Sequence, residues 1–100
     1  MKISGKTRLC FIYGCPIEHV RTPQALNALA ERRGVDCVMA PLLVAPANLE
    51  LAFAQLRVLE NVSGAVITLP HKQDAWSLCD LHTRSAEQCR AVNVVRRRPD

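Results

Sequence analysis

The sequence predicts an α/β fold: a three-layer αβα arrangement around a mainly parallel or mixed sheet, in the order β-α-β-α-β-α-α-β. Two observations carry this. Short apolar, β-favouring runs alternate along the chain with segments whose apolar residues recur at three and four. Strands separated by helices imply crossover connections, and those give a largely parallel sheet covered on both faces. The length, 100 residues, suits one modest domain.

Arg8 to Tyr13 (Arg-Leu-Cys-Phe-Ile-Tyr) reads as a buried strand that ends at Gly14. Gly14 to Arg21 has no period and contains Pro16, so it is expected to be a loop. Thr22 can cap a helix, and Pro23 fits the first helical position, where no amide hydrogen is missed. Ala25, Leu26, Leu29 and Ala30 supply the apolar stripe of that helix, and Gly34 ends it. Asp36 to Val44 is expected as the second strand. Leu49, Ala52, Phe53, Leu56 and Leu59 place a second helix over about Pro46 to Glu60. Ser63 to Leu69 is a third strand, broken by Pro70. His71 to Cys79 and Thr83 to Arg90 read as short helices, and Ala91 to Arg96 as the fourth strand.

Composition excludes several classes. About half of the residues are apolar and 22% are charged, which is the balance of a folded domain rather than a disordered tail. The longest apolar run, Val38 to Ala47, is too short to cross a membrane and holds Pro41 and Pro46. The opening residues lack the apolar core of a secretory signal, so a cytoplasmic location is expected. Cysteines stand at 10, 15, 37, 79 and 89. Their odd count, the absence of a Cys-x-x-Cys pair and the apolar setting of Cys10, Cys37 and Cys79 point to reduced, mostly buried thiols. Cys79 and His82 are two potential ligands, too few for a zinc site. The net charge of +4 owes much to Arg96, Arg97 and Arg98, a run expected to face solvent. No aromatic residue is interleaved with these arginines, so nucleic acid is not an expected partner.

Ligands of open α/β sheets bind beyond the carboxyl ends of the strands. Three such ends are unusual here: Gly14 to Pro23, Thr68 to Lys72, and Val92 to Val94. Lys72 follows a strand and a proline, where it could reach into a cleft as a proton donor or acceptor. On its own, a lysine in a first helical turn is ordinarily a solvated side chain. Asn93 lies in an apolar strand, and a buried amide there needs partners, whether a ligand or a neighbouring loop. Thr68 can be a simple β-former, His19 a loop residue and His71 a capping or surface residue.

The combination is more informative. Gly14, Pro16, Ile17, His19, Thr22, Pro23 and Asn27 are spaced as in G-x-P-[IV]-x-H-S-x-S-P-x-x-H-N, the opening motif of shikimate dehydrogenases. Gly64, Ile67, Thr68, Pro70 and Lys72 are similar to that family's G-F-N-V-T-x-P-x-K. Ala91, Val92 and Asn93 are similar to its G-A-V-N-T, and Ile3 to Thr7 (Ile-Ser-Gly-Lys-Thr) to its start. The chain thus resembles the substrate-binding half of the shikimate/quinate dehydrogenase family over nearly its whole length.

The resemblance implies reversible oxidation of a ring hydroxyl of a cyclic hydroxy acid (shikimate, quinate or an analogue) with NADP or NAD. It implies that Lys72 handles the hydroxyl proton together with a downstream aspartate. Thr68 and Asn93 match residues that bind ring hydroxyls, and the loop through Thr22 matches the one that holds the carboxylate. The family's serines are Val20 and Thr22 here, and the asparagine before its threonine is Val66. Leu26 and Val94 replace a histidine and a threonine. Thr22 keeps a hydroxyl; Val20 and Val66 donate nothing. These departures predict a changed substrate or weak shikimate binding; Arg21, beside the gap, is the cation that could replace the lost donors. No G-x-G-x-x-G follows a strand in these residues. The expectation is therefore that residues 1–100 are a substrate-binding domain without its nucleotide-binding domain, inactive alone, with Arg97-Arg98-Pro99-Asp100 a point where the chain could continue. A homodimer is compatible with it. The alternative is a non-catalytic module of the same fold that retains a small anion.

Overall fold

The computed structural model describes residues 2–98; of the expected continuation point, Pro99 and Asp100 lie outside them. The elements follow the expected order. They are β1 (Arg8–Gly14), α1 (Thr22–Arg32), β2 (Cys37–Leu43), a 3₁₀ turn (Pro46–Asn48), α2 (Leu49–Val58), β3 (Val62–Ile67), α3 (Lys72–Trp76), α4 (Arg84–Cys89) and β4 (Val94–Arg96). The strand order is β2-β1-β3-β4. β1 pairs in parallel with β2 and β3, and β4 closes the edge antiparallel to β3. The sheet is therefore mixed.

Right-handed crossovers in opposite directions, β1 to β2 and then β2 across β1 to β3, put α1 and α2 on opposite faces. Side-chain alternation agrees. Tyr13 and its β3 partner Ile67 join Leu49, Phe53 and Leu56 of α2, Ala75 of α3 and Val92 in one buried cluster. Ile12 and Met39 are buried outside that cluster. α1 touches β2, and its Asn27 clasps that strand: Nδ2 donates to the Met39 carbonyl at 3.0 Å and Oδ1 accepts from the Met39 amide at 2.8 Å.

Several boundaries differ from expectation, each for a local reason. Thr22 is already helical, the capping position is Arg21, and no side-chain bond forms there. Proline occupies the second helical position, where its missing amide hydrogen again costs nothing. Ala25 is exposed, and α1 instead rests on Pro23, Leu26, Leu29 and Ala30. Gly34 does end α1: at φ +66° its amide donates to Glu31 and the next amide, Val35, to Ala30. This is a Schellman closure. The expected second helix begins as a 3₁₀ turn and stops at Val58, because Leu59 is extended. The expected helix from His71 to Cys79 is regular only over Lys72–Trp76. α4 is capped by Thr83, whose Oγ1 accepts from the Ala86 amide at 3.2 Å.

β4 is shorter than expected. The Val92 amide donates to the Lys72 carbonyl at 2.9 Å, which draws residues 91–93 out of the ladder and toward α3. Asn93 is consequently exposed and outside the strand, not a buried strand amide. All five cysteines are free; Cys10, Cys15, Cys37 and Cys79 are half-buried and Cys89 is exposed, so none is fully buried. No helix among the described residues is long and apolar enough to cross a membrane.

Candidate functional site

The carboxyl ends of β1 and β3 are stitched together before they diverge into loops. The Thr68 amide donates to the Tyr13 carbonyl at 2.9 Å, and the Cys15 amide to the Leu69 carbonyl at 3.1 Å. The glycine at position 14 has a steric reason. A Cβ placed there would lie 2.4 Å from Cγ2 of Thr68 and 3.1 Å from Cδ1 of Ile17. Thr68 and the Ile17–Val20 turn, closed by the Val20 amide on the Ile17 carbonyl at 3.2 Å, thus fold over a space that only glycine leaves open.

His71, expected as a capping or surface residue, is 0% exposed. Its Nε2 lies 2.7 Å from the Val44 carbonyl. A carbonyl can only accept, so Nε2 carries the proton, and the buried Nδ1 is left without a partner among the described residues. The Val44 amide in turn donates to the Gly14 carbonyl at 3.0 Å. His71 therefore ties the turn after β3 to the end of β2, and so to the end of β1. Polarity masked this role in the sequence; the flanking proline and lysine were the only hint.

This scaffold fixes Lys72, half-buried at the start of α3. Its carbonyl holds the Val92 amide, and the next residue, Asn93, accepts from the Ile67 amide at 2.8 Å. Lys72 and Asn93 line one cleft of about 300 Å³, walled by Thr83, Ser85 and Cys89 of the α4 segment. A primary amine and a carboxamide lining one small cleft can hold a polyhydroxylated ligand and exchange a proton with it. Thr68 sits at the base of the same strand ends. Val66 is half-buried two residues before Thr68, on the face of Ile12. Val20 is half-buried and Thr22 exposed, where the first loop enters α1. No hydrogen bond joins Thr22 to Lys72 or Asn93 among the described residues.

A larger cleft, about 890 Å³, lies between α2, the α4 segment and β4. It is lined by Phe53, Leu56 and Arg57 and by Arg96, Arg97 and Arg98, and it contains none of Thr22, Thr68, Lys72 or Asn93. Size alone does not make it the site; of the residues the sequence singles out, Lys72 and Asn93 lie in the smaller one. Among the described residues, no group of three or more His, Cys, Asp or Glu side chains could hold a metal.

The fold defines a class: an α/β domain of the kind that binds ligands beyond the carboxyl ends of its parallel strands. The family model for the shikimate dehydrogenase substrate binding domain matches residues 12–95, and the chain belongs to that family. It is 42% identical, over its full length, to a shikimate dehydrogenase (NADP(+)) of Geobacter metallireducens, of which it covers 35%. It is 36% identical over 95% of its length to the corresponding enzyme of Acidiphilium cryptum, of which it covers 34%. Among solved structures, it is similar to shikimate 5-dehydrogenase of Listeria monocytogenes in complex with shikimate and NAD. That match has TM-score 0.93 and 26% identity, and covers 99% of this chain and 34% of the other. It is also similar to shikimate dehydrogenase of Aquifex aeolicus, with TM-score 0.89 and 30% identity over 95% of this chain and 35% of the other. The chain spans about a third of the length of the curated relatives it matches.

Proposed function

We propose that residues 1–100 form the substrate-binding domain of a shikimate/quinate-type dehydrogenase, and that the full-length polypeptide oxidises a ring hydroxyl of a cyclic hydroxy acid reversibly. The observation that carries this reading is the shared cleft of Lys72 and Asn93, beside strand ends on which Thr68 is locked over Gly14. Lys72 Nζ holds the hydroxyl proton; Asn93 and Thr68 orient the ring; the loop through Thr22 receives the acid group. The residues present contain no glycine-rich strand-to-helix turn to cradle a dinucleotide. NADP or NAD is therefore assigned to a separate nucleotide-binding domain, and when bound it supplies the hydride acceptor. This chain's contribution is positioning and the movement of one proton.

Lys72→Ala in the full-length polypeptide tests the role. Turnover should fall by roughly 10²–10⁴, while the dissociation constant for the hydroxy acid changes little, because the group is needed mainly in the transition state. Turnover equal to that of the parent would remove Lys72 from the chemistry.

The loss of donors at Val20 and Val66 favours a second reading, a non-catalytic module that retains a small anion. It predicts binding of the hydroxy acid without any turnover of the full-length polypeptide in the presence of NADP or NAD.

A further inference from the structure

On the α1 face of the sheet, away from the strand-end rim, two thiols meet and a thioether-bearing residue shares their face. Cys10 Sγ and Cys37 Sγ are 4.0 Å apart. The β1–β2 register sets Met39 directly opposite Cys10. Cys37 lies two residues earlier in β2, so all three side chains share one face. Met39 is 4% exposed; the two thiols are half-buried and free.

A disulfide is the first chemistry to consider, and the register argues against it. Two residues of rise and one interstrand spacing, about 6.6 Å along and 4.8 Å across, put the two Cα atoms about 8 Å apart. Disulfides need roughly 4.4–6.8 Å. The sulfur spacing suits a metal instead. Two thiolate–metal bonds of about 2.3 Å, opened to the trigonal angle of about 120°, place the sulfurs about 4.0 Å apart. A third ligand completes such a geometry, and the neighbouring thioether is the donor on the same face. Thiolate and thioether ligands select monovalent copper over harder cations.

We propose that Cys10, Cys37 and Met39 form a three-sulfur binding site for a monovalent copper ion. Binding is ligand exchange without a redox step: two thiols release their protons to solvent, and the ion takes both thiolates and the thioether. Without the ion, burial and then the neighbouring Cys37 push the Cys10 thiol up to about 11.

The test is an anaerobic titration of the reduced chain with Cu(I) against a competing chelator, bathocuproine disulfonate, with X-ray absorption on the loaded sample. One equivalent should bind, with three sulfur neighbours at about 2.3 Å. The triple variant Cys15→Ser, Cys79→Ser, Cys89→Ser should keep that equivalent. Cys10→Ser and Cys37→Ser, with the Ala variants alongside and circular dichroism confirming the fold, should lose it. Met39→Leu should keep the equivalent but show two sulfurs in place of three. Loss of binding in the triple variant, retention in folded Cys10 or Cys37 variants, or an unchanged sulfur count in Met39→Leu would overturn the site.

Discussion

Lys72 owes its place to the residue before it. The His71 ring, tethered to the Val44 carbonyl, holds the turn from which Lys72 starts α3, and Lys72 and Asn93 line one cleft. Val20 and Val66 are two of the positions that depart from the family motifs, and both are half-buried near the same strand ends. If the acid group of the ligand meets the loop through Thr22, then Val20→Ser and Val66→Asn each add a donor worth about 1.5–3 kcal/mol to a charged carboxylate. We expect shikimate to bind roughly ten- to a hundredfold more tightly for each substitution in the full-length polypeptide, measured by calorimetry. An unchanged dissociation constant in the double variant would place the carboxylate elsewhere. The motif residues were legible in the sequence because each is a discrete chemical type at fixed spacing. His71 was not: nothing in a histidine's local context says that a carbonyl 27 residues earlier will bury it.

At the level of elements, two contacts decide how the rim is built. Asn27 joins α1 to β2 through both polar atoms of its amide. Asn27→Ala removes both bonds and leaves the Met39 amide and carbonyl unpaired, at a cost of about 1–3 kcal/mol. Urea unfolding should show it as a lower midpoint with an unchanged slope, and Asn27→Asp, which keeps the acceptor only, should fall between. Gly64 governs the opposite edge. A Cβ there would lie 2.2 Å from the Val95 carbonyl oxygen and 2.9 Å from Arg96 Cα, both rigid backbone. Gly64→Ala should therefore cost about 3 kcal/mol and loosen β4, with early loss of hydrogen-exchange protection at the Ile67 and Arg97 amides, which pair with Asn93 and Ser63. Full protection at both would show that the edge absorbs the methyl group. Arg90 presents the converse case. It takes φ +54° where the family motif has glycine, with its guanidinium 4.8 Å from the Trp76 ring centre. The cation–π contact, about 0.5–1 kcal/mol, offsets part of the left-handed strain.

Across the whole molecule, Tyr13 is the centre of the core: fully buried, between the rings of Phe11 and Phe53, with its hydroxyl donating to the Ala52 carbonyl at 3.1 Å. Burial pushes its phenol up to about 12 from an ordinary value of 10.0. The folded state therefore keeps a proton that the unfolded chain releases. The associated stability is intact below pH 10 and disappears as pH rises through 12. It amounts to roughly 2–3 kcal/mol, about half of it gone by pH 11. Tyr13→Phe lacks this titration, so the stability difference between parent and variant should shrink over that window in denaturant melts. A pH-independent difference would mean that the phenol ionises freely in the folded state.

The sequence by itself determined the element order, the α/β class, the family and the carboxyl-end position of two polar motifs, Gly14 to Pro23 and Thr68 to Lys72; the third, Val92 to Val94, lies instead at the amino end of β4. These rest on periodicity, breakers and residue type, which act over a few neighbours. Only the tertiary structure decided that β4 runs antiparallel and starts after Asn93, that Asn93 is exposed, that His71 is buried and that Cys10 and Cys37 meet across two strands. Each depends on a partner far along the chain. The start of β4, for example, is set where the Val92 amide finds its acceptor on Lys72, and a backbone amide carries no sequence signal of its own.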